Sequence, residues 1–366
     1  MISTALSISA CATDEVPHDQ LPFTTEVVAD MKEPWAIAVI DEDHLLITEK
    51  AGSLMLVNAD GEVREITGVP EVAYGGQGGL GDIVLAPDYP ESGRIYLSYA
   101  EEEDDKRGAV VATAILNITD EGGSLADLET IWRQSPKVSG RGHYGHRIAF
   151  GPEGKLWISS GERQKFDPAQ DMNGNLGKIV RLNPDGSIPQ DNPFYDSGGV
   201  TAEIWSLGHR NPLGLAFDGA DQLWVVEMGP AHGDELNLVL RGENYGYPIV
   251  SNGNHYNGDE IPHHDTRPEF EAPKVYWVPA ISPSSLMFYD GDAFENWTGN
   301  ALIGGMSYHG LVAIEFDGEN AREAARYPMG ARIRDIAQAP DGTIWVIEDE
   351  RGKSAGRLLR LSPQNP

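Results

Sequence analysis

Two stretches of the chain carry imidazole and guanidinium groups close to predicted strands. His143 precedes one strand and is followed four positions later by Arg147, and Arg210 stands directly before Asn211 and a second strand. A loop histidine is often only a hydrogen-bonded structural residue, but it can also act as a general base beside a fixed cation. His143 and His146 form an H-x-x-H pair, yet no further Cys or His nearby completes a zinc site. Taken alone, these stretches favour a structural role for His143 over a catalytic one, and they disfavour zinc chemistry.

Three further stretches could hold a ligand. The bend at Gly229-Pro230 can turn backbone carbonyls toward a hard cation such as calcium. Arg332 and Arg334 lie two positions apart, hence on one strand face, and form the local positive cluster that an anionic ligand needs. The glycine-rich stretch around Gln77 has no following helix, so it is no phosphate loop, but it lets a flat group approach the backbone.

The elements that must position these residues form a unit that recurs six times. Each copy is a short apolar strand that follows another strand and a turn. The copies are His44–Glu49, Gly93–Ser98, Gly154–Ser159, Asp221–Glu227, Gly299–Gly304 and Gly342–Glu348. Six units of about four strands predict an all-β fold, a six-bladed β-propeller with long functional loops on its top face. Pairing of residues 24–29 with residues 357–361 is expected to close the ring.

Long insertions separate the repeated strands. The longest are residues 100–141, 161–177, 183–203 and 229–275, which are rich in Gly, Asn, Asp and His. Loops of such length are usually functional when they are not disordered. We therefore expect these segments to build the site and to shape its preference for a substrate.

The bulk composition excludes several classes of function. The formal charge of −30 over 366 residues argues against nucleic acid and anionic lipid as partners. No apolar run is long enough for a transmembrane helix, and a single cysteine excludes an internal disulfide framework. An anionic ligand would be repelled by the overall charge, so its site requires clustered arginine or lysine.

The N-terminal residues resemble an export signal. The sequence Ile8-Ser9-Ala10-Cys11 matches a bacterial lipoprotein processing site, although the usual basic and full-length apolar segments are missing. We expect residues 1–22 to be an export sequence and tether, and residues 23–366 to be the propeller domain. The predicted location is periplasmic or exported, with Cys11 as the candidate for a lipid anchor.

Several separated motifs together resemble one family. They are Leu207-Gly208-His209-Arg210-Asn211-Pro212, Gly229-Pro230 with Asp234-Glu235-Leu236-Asn237, Asn244-Tyr245-Gly246-Tyr247-Pro248, and the stretch from Gly177 to Pro189. Over roughly residues 23–363 the chain resembles the soluble quinoprotein sugar dehydrogenases, the PQQ-dependent aldose and glucose dehydrogenase family. The resemblance implies oxidation of an aldose at C1 to the lactone, with hydride transfer to PQQ assisted by Ca²⁺. A sugar is then the substrate, and an external electron acceptor is needed.

The resemblance also implies roles for individual residues. His143 would be the general base for the anomeric hydroxyl, and Arg210 would polarise the quinone carbonyl. The other cofactor contacts would come from Gln77, Asn211, Arg332 and Arg334, with calcium held by the carbonyls of Gly229 and Pro230.

Three positions depart from the family pattern. The blade-five loop, residues 304–310, lacks the lysine that contacts the quinone in relatives of the glucose enzyme. His146 fills a position that is usually small, and Glu162 stands where an aspartate is usual. The missing lysine favours one alternative to the dehydrogenase, a non-catalytic propeller that binds a partner. A calcium-dependent lactonase is the other alternative, but it would need several carboxylates converging on one metal, where this sequence has arginine and histidine.

Overall fold

Six blades, each of four antiparallel strands, follow one another around a ring in the computed structural model, which describes residues 8–9 and 15–364. The strands of blades one to three are Pro34–Val39, His44–Glu49, Ser53–Asn58 and Val63–Thr67; Leu80–Leu85, Arg94–Glu103, Lys106–Thr119 and Gly122–Arg133; and Gly145–Phe150, Leu156–Ser160, Lys178–Leu182 and Ile204–Leu207. The strands of blades four to six are Pro212–Phe217, Leu223–Glu227, Asp234–Leu238 and Val275–Trp277; Pro283–Phe288, Ala301–Gly305, Gly310–Asp317 and Asn320–Pro328; and Ile333–Gln338, Ile344–Glu348, Arg357–Pro363 and Phe23–Asp30. The prediction of a six-bladed propeller is confirmed.

Helical structure in the described residues is confined to short turns. A single α-helical turn covers Tyr89–Ser92, and the 3-10 turns are His18–Gln20, Asp167–Ala169, Tyr195–Ser197, Gly199–Glu203, His264–Thr266 and Glu295–Trp297. None of the helices in the described part of the chain is long and apolar enough to cross a membrane.

The first strand of each blade lies nearest the axis and contacts the first strands of both neighbouring blades. All six predicted repeat copies form the second strand of a blade. The predicted closure is confirmed, because Phe23–Asp30 pairs antiparallel with Arg357–Pro363 in a register that places Val27 opposite Leu359. The two ends of the propeller chain thus share blade six.

Six apolar clusters fill the six interfaces between neighbouring blades. The strand Ile344–Glu348 shows how the sequence supplies them. Trp345 faces blade one, whereas Val346 faces blade five, since successive residues of a strand point to opposite sides of the sheet. A blade packed on both faces therefore needs a continuous apolar run, which is the pattern that the repeat displays.

The prediction that residues 100–141 form a long loop is wrong. Most of the segment 100–141 extends the strands of blade two, and only the turns at residues 104–105 and 120–121 and the stretch 134–141 lie outside them. The outer strand of blade two also pairs in parallel with that of blade one, at Gly123 and Ile66, so that the two blades share one eight-stranded sheet. The sequence did not predict these longer strands, because the residues near the hairpin turn at residues 104–105 are charged. They are exposed on a projecting strand pair. The other three insertions run mainly as loops and short turns.

Arg147 does not belong to the site, contrary to the expectation from its spacing to His143. Its buried guanidinium lies at the axis between Asp82 of blade two, at 3.1 Å, and Asp335 of blade six, at 3.0 Å. It also donates hydrogen bonds to the carbonyls of Leu213 in blade four and Ser284 in blade five, both at 2.7 Å. One side chain of blade three thus connects four other blades.

The two carboxylates of this axial network extend it further. Asp82 accepts a hydrogen bond from the backbone N–H of Ile148 at 2.8 Å, and Asp335 accepts one from Ile37 of blade one at 2.9 Å. Burial raises the pKa of both carboxyl groups, and Arg147 opposes that rise. All six blades are therefore joined through a buried charged network.

The residues before the propeller contact blades four and five. Ile8–Ser9 pairs in parallel with Val275–Tyr276, and Glu15 forms a bridge with Arg326. Leu21 is buried against blade six residues. Cys11, the candidate lipid anchor, lies outside the described residues.

Candidate active site

A cavity of about 620 Å³ opens at the end of the axis where the first strands begin. Four cationic and three acidic side chains of the described residues line it: Lys50, Arg332, Arg334 and Arg351, and Glu33, Asp349 and Glu350. This balance is positive although the whole chain carries a charge of −30. The central cavity is therefore a local site for an anion in an acidic protein.

The two predicted arginines of blade six converge on one carboxylate. Arg332 Nε lies 2.7 Å from one oxygen of Asp349, and Arg334 Nε lies 3.1 Å from the other. Burial raises the pKa of Asp349, but the two guanidinium groups outweigh it and lower the pKa to about 2. Asp349 thus stays ionised and holds both arginines at the cavity wall, with one positive charge in excess.

Polar atoms at the other wall lack partners within the protein. The side-chain nitrogen of Asn211 is buried without a hydrogen bond in the described residues, and so is Nε of Arg210. Asn211 and Gln77 line the central cavity. Buried donors are normally hydrogen-bonded, so unpaired donors beside a cavity indicate a ligand that accepts from them.

A second cleft, of about 400 Å³, adjoins the central cavity and contains His143 and Arg210. The two spaces share a wall, because Gln77 of the central cavity accepts a hydrogen bond from the backbone N–H of His143 at 2.6 Å. The lateral cleft is also lined by four aromatic side chains, Phe166, Tyr247, His255 and Tyr256, and by the polar side chains of Gln164, Asn257 and Asp259. Its walls suit a ligand with both apolar faces and hydroxyl groups.

His143 forms a buried pair with Glu162. Its Nδ1 contacts a carboxylate oxygen of Glu162, whose other oxygen accepts a hydrogen bond from the backbone N–H of Phe166 at 2.7 Å. Nε2 of His143 has no hydrogen-bond partner in the described part of the chain and lines the lateral cleft with the rest of the ring. The arrangement fixes the tautomer with Nδ1 protonated and leaves Nε2 as an acceptor.

The backbone at His143 is held in a conformation that few residues adopt. Its φ is +51°, in the left-handed region. Gly161 makes this possible, because a Cβ at that position would come within 2.2 Å of the His143 carbonyl oxygen. The strand end at residue 160 and the loop at residue 143 therefore pack backbone against backbone, which brings Glu162 to the imidazole.

The surroundings of His143 keep it unprotonated. Burial lowers its pKa, the hydrogen bond to Glu162 raises it, and the nearby Arg210 and Arg163 lower it again, with a net value below the ordinary one. Burial raises the pKa of Glu162, but His143 and Arg210 lower it overall, so the carboxylate is ionised. A neutral imidazole supported by a carboxylate is suited to accept a proton.

Arg210 is positioned by a relay of buried groups. Its backbone N–H donates to Glu227 at 2.7 Å, and His209 Nδ1 lies 2.9 Å from the same carboxylate. The guanidinium donates to the carbonyl of Met228 at 2.9 Å and reaches the hydroxyl of Tyr256 at 3.4 Å. The cation therefore has a fixed place at the wall between the central cavity and the lateral cleft.

The predicted calcium ligands are free to bind a cation. The carbonyl oxygens of Gly229 and Pro230 accept no hydrogen bond from the described residues. Asp234 shapes this bend by accepting from the N–H groups of Gly229 at 3.0 Å and Ser282 at 2.7 Å. No group of three or more His, Cys, Asp or Glu side chains in the described residues could hold a metal. A cation at this bend would therefore be bound by the backbone carbonyls of Gly229 and Pro230 together with atoms of a bound cofactor.

The structure thus brings the predicted residues into two adjoining spaces. Gln77, Asn211, Arg332 and Arg334 line the central cavity, and His143, Arg210 and Pro230 line the lateral cleft. Gly229 lies with Pro230 and Arg210 around a small pocket beside the cleft.

Sequence reasoning missed Lys50, Asp349 and the aromatic wall of the lateral cleft. Lys50 and Asp349 directly follow the second strands of blades one and six, the strand end at which Glu162 also lies. That shared position at the end of the repeat copy was a usable signal. The aromatic residues of the lateral cleft come from insertions without any repeat, and no pattern points to them.

The fold and the site together define a six-bladed β-propeller with a cation-lined central cavity and a buried histidine–carboxylate pair at its edge. Residues 31–360 match the family described as "Glucose / Sorbosone dehydrogenase", and the chain belongs to this family.

Its relatives include sugar dehydrogenases along almost the whole length of the chain. The chain is 39% identical over 350 residues to "Aldose sugar dehydrogenase YliI" of Escherichia coli, covering 93% of each protein. The crystal structure of the soluble aldose sugar dehydrogenase from that organism, in the apo form, superposes with a TM-score of 0.86 at 38% identity, over 93% of this chain and 100% of the other. The PQQ-bound form of an aldose sugar dehydrogenase from Streptomyces coelicolor gives a TM-score of 0.77 at 27% identity, over 93% and 98%. The predicted relationship to aldose and glucose dehydrogenases is confirmed.

Proposed function

We propose that this protein oxidises aldose sugars at C1 to the lactone, with PQQ as cofactor and calcium as the assisting cation. The observation that carries the proposal is the adjacency of two spaces. One is cationic and contains unpaired donors, and the other contains a neutral imidazole on an ionised carboxylate. The first suits a flat tricarboxylate, and the second suits a sugar hydroxyl that must lose a proton. Relatives named as aldose sugar dehydrogenases support the same reaction.

The residues present fit the cofactor. Arg332 and Arg334 would pair with its carboxylates, for which the forked guanidinium geometry is well suited. Asn211 would donate from its unpaired buried nitrogen, and Gln77 would contact the cofactor from the loop before blade two. PQQ, when bound, supplies the acceptor for the hydride that leaves the sugar carbon. The carbonyl oxygens of Gly229 and Pro230 would hold calcium, because no hydrogen-bond donor of the described residues occupies them.

His143 is the proposed general base. Its Nε2 would accept the proton of the anomeric hydroxyl as hydride leaves C1, and the imidazolium so formed would be stabilised by the ionised Glu162. Arg210 lies in the same cleft. Its guanidinium would stabilise the negative charge that develops on the quinone carbonyl during the reaction. The aromatic residues Phe166 and Tyr256, which are exposed at the cleft, would pack against the faces of the sugar.

Reconstitution tests the proposal directly. The apoprotein is mixed with PQQ and calcium, and dye reduction is followed with glucose and other aldoses. Turnover that needs both PQQ and calcium supports the proposal. A folded protein with neither turnover nor a change in quinone absorbance would contradict it and support a propeller that only binds a partner. Hydrolysis of a lactone with calcium alone would instead support the lactonase.

Lys50 is expected to compensate for the lysine missing from the blade-five loop. Its Nζ lines the central cavity and lies 3.4 Å from Glu33. We expect Lys50→Ala to weaken PQQ binding about tenfold, the value of one charge-assisted hydrogen bond at a partly solvated site. The measurement is the dissociation constant from quenching of tryptophan fluorescence.

A matched control exists for this prediction. Lys274 is paired with Glu271 at the same 3.4 Å, and its side chain is 13% exposed, against 18% for Lys50. It does not line the central cavity, so Lys274→Ala should leave PQQ affinity unchanged. Equal affinities of the two variants would show that Lys50 makes no contact with the cofactor.

The pH dependence follows from the protonation of His143. The base acts in its neutral form, and its lowered pKa extends that form to more acidic solutions. We expect kcat/KM to stay level from neutral pH down through the ordinary pKa of histidine and to fall only below it. Because Glu162 raises the pKa of His143, Glu162→Gln should move the acid limb to lower pH and also reduce the plateau. Steady-state rates across pH test this, and an acid limb above the ordinary histidine pKa would contradict it.

Export remains a proposal that rests on the sequence around Cys11. Metabolic labelling with a radioactive fatty acid, comparing the full chain with its Cys11→Ala variant, tests whether this residue carries a lipid.

A further inference from the structure

His146 is a buried imidazole without a partner. It is 3% exposed, and neither of its ring nitrogens has a hydrogen bond in the described residues. Buried polar side chains are normally satisfied, and leaving both nitrogens unpaired destabilises a folded protein. The site already described makes no use of this side chain, although it lines the central cavity with Gln77, Asn211, Arg332 and Arg334.

The ring is held rigidly at the cavity wall. It stacks on Tyr144, with ring centroids 5.2 Å apart, and meets the edge of Trp35 at 5.7 Å. Gly81 lies against it, because a Cβ at that position would come within 2.8 Å of the imidazole ring. An aromatic hydrocarbon would satisfy these contacts as well as an imidazole does, so packing alone does not account for the nitrogens.

The imidazole is also kept neutral. Burial lowers the pKa of His146 to about 3, and the neighbouring Arg163 and Arg147 act in the same direction. A neutral ring offers one N–H donor and one acceptor nitrogen. It therefore adds no charge to a cavity whose cations are needed for an anion, but it can still form a directional hydrogen bond.

We propose that His146 is a cofactor-binding residue, whose ring nitrogen hydrogen-bonds, directly or through one held water, to the flat anionic cofactor in the central cavity. This inference rests on the proposed function, since it concerns the same cavity. The nitrogens of His146 would then lack a hydrogen-bond partner only in the protein without cofactor, and one of them would gain a partner when the cofactor binds. The stability of the apoprotein and its affinity for the cofactor should accordingly change in opposite directions.

Three variants of one position test the proposal. His146→Phe keeps the aromatic packing and removes both nitrogens, His146→Asn keeps a polar atom near Nδ1, and His146→Gln keeps one near Nε2. For each, the melting temperature of the apoprotein and the dissociation constant of PQQ with calcium are measured. Tryptophan fluorescence follows the titration, and Trp35, which contacts His146, contributes to that signal.

We expect His146→Phe to raise the melting temperature of the apoprotein by about 2 °C, because an unpaired polar group is removed. Its affinity for PQQ should fall about tenfold, the value of one lost hydrogen bond. One of the two amide variants should restore the affinity, and which one does so identifies the nitrogen that binds.

The outcomes separate this inference from the proposed function. If the unsubstituted protein binds no PQQ, the proposed function fails. If it binds PQQ, and His146→Phe binds it equally well, the inference is overturned while the proposed function stands. Should the phenylalanine variant fail to fold, the amide variants decide: wild-type affinity in one and about tenfold weaker affinity in the other supports the contact, whereas equal affinities of the two overturn it.

Discussion

Replacement of His143 by glutamine should lower kcat about a thousandfold, in the middle of the range that a general base contributes. Glutamine retains a polar side chain of similar reach but cannot accept a proton at neutral pH. Because the cationic wall of the central cavity is separate from the lateral cleft, the affinity for PQQ should change little. Turnover and the PQQ dissociation constant are measured on the same reconstituted protein.

His44→Gln provides the matched control. His44 also forms a histidine–carboxylate pair, with Asp41 at 3.1 Å, but it lies on the exposed surface outside both spaces. Its replacement should leave kcat unchanged. A His143→Gln enzyme with at least a tenth of the normal kcat would mean that another group removes the proton.

Replacement of Arg147 by methionine should cost about 3 to 5 kcal/mol of the free energy of unfolding, as expected when one partner of a buried ion pair is removed. Asp82 and Asp335 would then share a buried site without their cation. Since burial raises the pKa of both carboxyl groups, the loss should be smaller at pH 5, where they can take up protons, than at pH 8. Urea unfolding at the two pH values measures the difference.

Arg181→Met is the control for Arg147→Met. It measures how much stability is lost when a buried arginine is removed away from the axis. The Arg181 side chain is only 3% exposed and pairs with Glu153 and Asp191, but both of these carboxylates are largely in solvent. Its removal leaves no buried charge, so it should cost less than half as much. Adding Asp82→Asn and Asp335→Asn to Arg147→Met should recover part of the lost stability. Equal losses in the two arginine variants would contradict the axial role of Arg147.

The repeat could be read from the sequence because a blade buries both faces. Runs such as Ile344-Trp345-Val346-Ile347 are continuous and apolar, and six of them at irregular spacing suffice to predict six blades. The long hairpin of blade two was not predicted. Its projecting part carries charged residues on exposed faces, which look like a loop when the partner strand is unknown.

The residues of the site were easier to identify than their roles. His143 and Arg147 are four positions apart in sequence, yet one lines a cleft and the other lies at the axis between two carboxylates. Their separation depends on Asp82 and Asp335, which come from other blades and share no local pattern with them. Sequence spacing places residues on a strand, but the charge partners that decide their roles come from distant parts of the chain.

The pairing of Phe23–Asp30 with Arg357–Pro363 has a consequence for biosynthesis. The strand Arg357–Pro363 is synthesised after all the other strands of the propeller, so blade six is completed last and only then can the ring close. Arg332, Arg334 and Asp349 belong to this last blade. The cationic wall of the central cavity is therefore complete only after this last blade has been made.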